Sequence, residues 1–175
     1  NYKSESNEAA LVREAQLKTM QTVQNTGMVA TNDIGDLNNI HPTNKKEVGR
    51  RLALWAMAKT YGVKDIDFNS PIYKSLKIKK NKAIITFDFV GKGLKLKGKE
   101  AKEFFIAGND QIFYPAKAKI TNRKKVYVIS EKVPNPIAVR YAWRNWTDGT
   151  LYDTNLLPAS SFRTDQWDDA KKAKN

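Results

Sequence analysis

The stretch Ile137-Ala138-Val139-Arg140-Tyr141-Ala142-Trp143 has a large apolar residue at every second position. This period of two is typical of a β-strand with one buried face. The same period is present in Leu76-Lys77-Ile78-Lys79 and in Ile85-Thr86-Phe87-Asp88-Phe89. Turn-forming residues separate such runs at short intervals, at 91–93, 108–110, 121–122, 134–136 and 148–149. Residues 66–167 are therefore predicted to form an antiparallel β-sandwich.

Residues 1–65 have a helical period instead. Strong helix formers without Gly or Pro occupy residues 8–23 and predict a first helix. Asn44, with Glu47 three positions later, has the pattern of a capping box and predicts a second helix that runs to about Tyr61.

A short apolar run of strand type, Met28-Val29-Ala30-Thr31, lies between the two predicted helices. A single strand needs a ladder partner for its backbone groups, and two helices cannot cover both faces of a parallel sheet with one strand. Residues 1–65 are therefore predicted to be an incomplete α/β unit, completed by another polypeptide or by the rest of a larger protein. The predicted fold class is α/β plus all-β, with a polar tail at 168–175.

The composition of the 175 residues excludes several classes of protein. With 41% apolar residues the chain is not a disordered polycation, although its formal net charge is +13. No apolar run approaches the roughly 18 residues that span a membrane, so no membrane partner is expected. The absence of cysteine excludes disulfides, thiolate metal sites and thiol catalysis. One histidine and scattered acids do not have metal-ligand spacing, and no metal or cofactor is expected.

The positive charge is concentrated in lysine-rich runs of the β half. In Leu76-Lys77-Ile78-Lys79 and Leu94-Lys95-Leu96-Lys97 the lysines alternate with apolar residues, which places them on the solvent face of strands. Non-specific nucleic-acid binding is the functional alternative. We favour the solvent-face interpretation, with attraction of anionic glycans as a further hypothesis.

His41 is the only imidazole of the chain. It follows an acid-rich loop that contains Asp33 and Asp36, and Pro42 biases it away from helical backbone angles just before the second helix. This position suits a catalytic group whose side chain faces a substrate. An arbitrary lone histidine, however, is more often held by local hydrogen bonds.

Several motifs resemble those of the bacterial sialate O-acetylesterases, which are SGNH (GDSL-like) hydrolases. They are Arg13-Glu14-Ala15-Gln16, Asn25-Thr26-Gly27-Met28-Val29, Asp33-Ile34-Gly35-Asp36, Asn39-Ile40-His41-Pro42 and Asn44-Lys45-Lys46-Glu47-Val48-Gly49-Arg50-Arg51-Leu52-Ala53 in the first half. In the β half they are Val139-Arg140-Tyr141-Ala142-Trp143 and Leu157-Pro158-Ala159-Ser160-Ser161-Phe162-Arg163-Thr164-Asp165. The motifs follow one another in the order of the family and cover residues 13–165.

The resemblance implies that residues 1–65 are the C-terminal part of a three-layer α/β/α hydrolase domain, followed by the β-sandwich. It also implies O-acetyl ester hydrolysis on sialic acids or other sugars, with His41 as the base that serves a serine nucleophile. The superfamily usually has Asp three residues before this His, and here that residue is Asn38. Asp36 or Asp33 could replace it, a main-chain carbonyl could orient the ring, or the enzyme could use a Ser-His dyad. Asp36 is ranked as a possible helper of His41, and no triad is predicted.

The nucleophile of the family is absent from this chain, since no Gly-Asp-Ser or Gly-x-Ser-x-Gly sequence occurs in it. The chain is therefore predicted to be the C-terminal fragment of a carbohydrate (sialate) O-acetylesterase and to be inactive alone. Its expected partners are an N-terminal portion with the serine and an O-acetylated sugar. The resemblance implies a periplasmic or secreted enzyme. The alternative is a non-catalytic carbohydrate-binding or accessory β-sandwich module.

Overall fold

The computed structural model describes residues 7–167. The predicted polar tail at 168–175 lies outside the described residues. The helices are α1 (Glu8–Thr22) and α2 (Lys45–Lys59). The strands are β1 (Ile72–Lys79), β2 (Lys82–Asp88), β3 (Leu94–Leu96), β4 (Phe104–Ala107), β5 (Tyr114–Pro115), β6 (Lys117–Asn122), β7 (Lys125–Ile129), β8 (Ala138–Tyr141), β9 (Leu151–Asp153) and β10 (Phe162–Arg163).

The strands form a β-sandwich from antiparallel sheets. One sheet has the order β1-β2-β7-β6, the other has the order β10-β8-β4-β5, and β3 pairs with β9 in a third, two-stranded sheet. The two larger sheets bury one apolar core, to which both contribute alternate residues. Its largest fully buried side chains include Ile85, Phe87, Phe104, Ile106, Val126, Val128, Val139 and Tyr141. The predicted all-β half is confirmed.

Two apolar residues of the alternating runs lie outside the strands and are exposed. Phe89 follows the end of β2, has a positive φ of 56° and is 55% exposed. Ile137 precedes β8 and is 43% exposed. The period of two continues in the sequence past the point where the ladder ends, so the alternation alone overstates the length of these strands.

Strand β8 is buried on both faces rather than on one. Tyr141 belongs to the core between the sheets, whereas Arg140 lies on the opposite face and is also buried. The Arg140 guanidinium donates to both carboxylate oxygens of Asp165, at 3.0 and 2.7 Å, and lies over the ring of Phe113. The segment after β10 thus covers the outer face of β8.

Both predicted helices are present, and Asn44 caps α2 by accepting a hydrogen bond from the Glu47 backbone N–H at 3.2 Å. The predicted strand at 28–31 is not formed among residues 7–167, because this segment lies outside every helix and strand there and pairs with none of the strands. Leu52, an apolar residue of α2, is half exposed. The described part of residues 1–65 is thus two helices joined by extended chain, and the three-layer domain stays a prediction.

Helix α1 is attached to the sandwich by polar contacts from two adjacent residues. Arg13 donates to the Ala142 carbonyl and to the Ser161 hydroxyl, each at 3.1 Å. Glu14 accepts two hydrogen bonds from Arg163 of β10, each at 3.0 Å. Three of the sequence motifs quoted above therefore meet where the first half packs on the sandwich.

Gly27 and Gly49 provide a matched test of how the chain before the loop packs on α2. A Cβ on Gly27 would lie 2.8 Å from the indole ring of Trp55, whereas a Cβ on Gly49 in α2 would contact nothing, and neither glycine has a left-handed φ. We expect Gly27→Ala to lower the free energy of unfolding by about 1–3 kcal/mol, because the Trp55 ring must move. Gly49→Ala should raise it by about 1 kcal/mol, since alanine is the better helix former. Urea unfolding of both variants checks this, and equal effects would contradict the placement of Trp55 against Gly27.

Candidate active site

The candidate site is the loop between the extended segment at 28–31 and α2. Two side chains shape its backbone by hydrogen bonds to residues two positions later. Asp36 Oδ1 accepts from the Asn38 N–H at 2.7 Å, and Asn39 Oδ1 accepts from the His41 N–H at 2.8 Å. These short-range bonds are typical Asx turns. They fix the path of the loop into Pro42 and the start of α2.

The imidazole of His41 is exposed to solvent. Among residues 7–167 its side chain has no hydrogen-bond or ion-pair partner, so it is not held in a local network. Asp36 is exposed as well, and its observed hydrogen bond goes to the loop backbone rather than to His41. Asn38, the residue at the usual acid position, is also exposed. The roles assigned to His41 and Asp36 stay predictions.

A buried arginine holds this loop against α2. Arg51 is 2% exposed and donates to both oxygens of Asp33, at 2.8 and 2.7 Å, and to the Ala30 carbonyl at 2.6 Å. It also donates to Glu47 at 2.8 Å. Because Asp33 is engaged by Arg51, its carboxylate acts in the described structure as an anchor of the loop.

Arg51 was not among the predicted site residues, although its position in the sequence carries a signal. Val48, Arg51 and Trp55 follow one another at spacings of three and four, which places Arg51 on the same helical face as two apolar residues. A charged residue on such a face is expected to be paired, and Asp33 is the acid nearest the loop end of the extended segment.

Burial and neighbouring charges shift the pKa values of two residues near Arg51, Glu47 and Tyr152. The pKa of Glu47 is lowered to about 2, chiefly by its hydrogen bonds from Arg50; burial opposes this effect and Arg51 adds to it. Burial raises the pKa of Tyr152, and the neighbouring Asp33 carboxylate raises it further.

The Glu47 pKa predicts a pH dependence of stability. A carboxyl whose pKa is lower in the folded state stabilises the fold above its ordinary pKa of 4.5, and this stabilisation is lost as the pH falls toward about 2. We therefore expect Glu47→Gln to lower the melting temperature at neutral pH. The gap in melting temperature between wild type and variant should close as the pH falls from 4.5 toward about 2. Melting curves followed by circular dichroism measure the gap. The exposed Glu100→Gln serves as the control, and a gap that is independent of pH would contradict the ion pairing of Glu47.

A cleft of about 370 Å³ lies beside the loop. It is open between the loop, α1 and the segment 145–147, and its lining includes Val12, Asp36, Asn39, Ile40 and Trp146. Ile40 and Pro42, on either side of His41, line it, whereas His41 is not among its lining residues. The loop therefore borders an open depression, as a substrate-facing loop requires.

The serines of the described residues do not supply a nucleophile next to His41. Ser70, Ser160 and Ser161 are buried, and Ser161 accepts a hydrogen bond from Arg13. Ser75 lies in β1 and Ser130 follows β7. Within residues 7–167, none of them occupies a turn between a strand and a helix, which is where hydrolases of this type expose the nucleophile.

Two absences within residues 7–167 concern metal ions and membranes. No group of three or more His, Asp and Glu residues in this part of the chain could hold a metal ion. No helix there is long and apolar enough to cross a membrane.

Comparison with known proteins gives the class to which this fold and loop correspond. No model of a protein family matches the sequence. The structure is similar to that of a carbohydrate acetylesterase from Xanthomonas citri, with a TM-score of 0.85 and 42% sequence identity. The match covers 90% of this chain and 36% of that protein. The chain is thus a structural relative of carbohydrate acetylesterases.

The sequence comparison narrows this class. The chain is 27% identical to the sialate O-acetylesterase of Rattus norvegicus and 26% identical to that of Homo sapiens, in alignments 151 residues long that cover 79% of this chain. These alignments cover 28% and 29% of the two relatives, so the chain spans less than a third of their length. The chain is a homologue of sialate O-acetylesterases over part of their length, which confirms the family resemblance predicted from its motifs.

Proposed function

We propose that this chain is the C-terminal part of a carbohydrate (sialate) O-acetylesterase and that His41 is its catalytic base. The observation that carries this proposal is the exposed imidazole of His41, which lacks a side-chain partner among residues 7–167 and lies on a loop beside an open cleft. The names of the relatives, a carbohydrate acetylesterase and sialate O-acetylesterases, support the choice of an O-acetylated sugar as substrate.

In the proposed reaction His41 accepts the proton of a serine hydroxyl while the serine oxygen attacks the acetyl carbonyl carbon. The bond between that carbon and the sugar oxygen then breaks, and His41 returns the proton to the sugar oxygen. The resulting acetyl-serine is hydrolysed by a water molecule whose proton passes to His41 and then to the serine. Acetate leaves and the starting state is restored.

The serine is proposed to come from an N-terminal portion that packs on α1, the loop and α2. Large apolar side chains exposed in this half support such an interface, because covering them with a partner would remove apolar surface from water. They include Leu11, Val12, Ile40, Leu52 and Met57, of which Val12 and Ile40 line the same cleft. The segment 28–31 pairs with no strand of residues 7–167. Its Ala30 and Thr31 carbonyls accept hydrogen bonds from Arg51 and Ile34, and its other backbone groups are proposed to pair with the same partner.

The test is complementation. This chain, the N-terminal portion and their mixture are assayed for acetate release from O-acetylated sialic acid. We expect turnover only in the mixture or in the complete enzyme, because base and nucleophile are on different portions. Turnover by this chain alone, above that of free imidazole at the same concentration, would contradict the proposal.

A non-catalytic β-sandwich module is the second candidate. The closed core between the two larger sheets favours it, because a sandwich with its own core can act independently of a catalytic domain. The complementation assay separates the candidates, since a module would leave the N-terminal portion equally active with and without this chain.

A further inference from the structure

The outer face of the sheet β1-β2-β7-β6 is strongly basic. Strand register sets its composition: Lys77 pairs with Ile84, Ile84 pairs with Tyr127 and Tyr127 pairs with Lys119. Residues two positions away point to the same side. We call this surface the lysine face, and its outward residues are Ser75, Lys77, Lys79, Lys82, Ile84, Thr86, Lys117, Lys119, Lys125, Tyr127 and Ile129.

The charges of the lysine face are not compensated by acids. Strands β1, β2, β6 and β7 contain a single acidic residue, Asp88, and it pairs with Lys74 at the end of β1 and β2. None of the six lysines of the face forms an ion pair with any of residues 7–167. Lys79 and Lys82 even lie directly opposite each other, an arrangement of like charges that destabilises a strand pair. We therefore expect an anion from outside the chain to stabilise the sheet by offsetting the repulsion of this pair.

The lysine face is also concave and has an apolar centre. A hollow of about 840 Å³ lies on it, with Ile84 and Tyr127 in the middle and lysines around them. The Lys82 ammonium lies 5.3 Å from the centre of the Tyr127 ring. Hydroxyl groups of Ser75 and Thr86 line the same hollow. These features suit a sugar chain that carries negative charges. The aromatic ring can stack on a sugar, the hydroxyls can form hydrogen bonds and the surrounding cations attract the negative charges.

We propose that the lysine face binds an acidic polysaccharide and so holds polymeric substrate on the enzyme. The choice of a polysaccharide rests on the proposed function, whereas the binding itself requires no catalysis. Single-stranded nucleic acid is the other polyanion that such a face could attract, but it is usually bound by a series of aromatic rings on which successive bases stack. Tyr127 is the one aromatic residue among the outward residues of the lysine face.

The test measures binding of polysialic acid to the full chain by calorimetry, with neutral dextran and oligothymidylate as comparison ligands. One triple variant, Lys77→Gln, Lys82→Gln and Lys125→Gln, removes charge from the face. A matched triple, Lys95→Gln, Lys97→Gln and Lys99→Gln, removes the same charge from exposed lysines elsewhere. We expect polysialic acid to bind and dextran not to bind, with affinity for polysialic acid lowered at least about tenfold by the first triple and under about threefold by the second.

Equal losses in the two triples would overturn the proposal, because the binding would then follow net charge alone. Oligothymidylate binding as tight as that of polysialic acid, and equally sensitive to the first triple, would overturn the assignment to a polysaccharide. Tyr127→Phe should retain the affinity and Tyr127→Ala should lower it, which tests the ring without changing charge. Failure of the esterase assay would refute the proposed function without altering these binding results.

Discussion

Replacement of His41 by alanine is expected to lower kcat of the complete enzyme about 10³- to 10⁴-fold with little change in KM. The exposed imidazole is the only one in this chain, so the chain itself holds no second histidine that could replace it as proton acceptor. His41→Gln should lose as much, because an amide can form a hydrogen bond but cannot accept the proton of the serine. The measurement is steady-state release of acetate from O-acetylated sialic acid.

Thr43→Ala is the control for this prediction, since it alters an exposed side chain of the same loop and should keep kcat within about twofold. A His41→Ala enzyme that retains more than a tenth of the wild-type kcat would remove the assigned base. The same assay addresses the orienting acid: a loss on Asp36→Asn supports Asp36 in that role, and an unchanged rate leaves Asp33, a main-chain carbonyl or the Ser-His dyad.

The second large effect is expected for Asp33→Ala, which should lower the free energy of unfolding by about 3 kcal/mol. This change removes two hydrogen bonds from the Arg51 guanidinium and leaves a buried cation with Glu47 as its remaining acidic partner. Arg51 also binds the Ala30 carbonyl, so the segment that leads into the loop loses part of its anchor. Urea unfolding of the chain measures the change.

Asp88→Ala is the matched control, because it removes an acid from an exposed pair with Lys74 and should cost less than about 1 kcal/mol. Equal costs for the two variants would contradict the buried character of the Asp33–Arg51 pair. A lower kcat on Asp33→Ala, with unchanged stability, would instead assign Asp33 to His41 and make it an orienting residue rather than a structural one.

Much of the β half could be predicted from the sequence, since alternation in Ile85-Thr86-Phe87 reports which side of β2 is buried. In Val139-Arg140-Tyr141 the alternation predicts the strand but not the burial of Arg140 on its other face. Alternation does not report where a ladder ends, and Phe89 and Ile137 are therefore exposed despite fitting the pattern. The capping box at Asn44 and Glu47 was predictable for a similar reason, because its hydrogen bond joins residues three positions apart.

The candidate site divides in the same way. The position of His41 before Pro42 and the second helix was visible in the sequence, as was the family resemblance of its motifs. The anchoring of the loop by Arg51 was not, because Asp33 lies 18 positions away and only the packing of the extended segment on α2 brings their side chains together.

The sequence by itself determined the strand periods, the helix start and the single imidazole, since each depends on residues that are close together in the chain. The tertiary structure alone decided which charges are paired between residues far apart in the chain. It joined Glu14 to Arg163 and Asp33 to Arg51, and it left the lysines of the outer sheet face without acids among residues 7–167. The physical reason is that pairing depends on distances in space, which strand register and helix packing fix between residues remote in sequence.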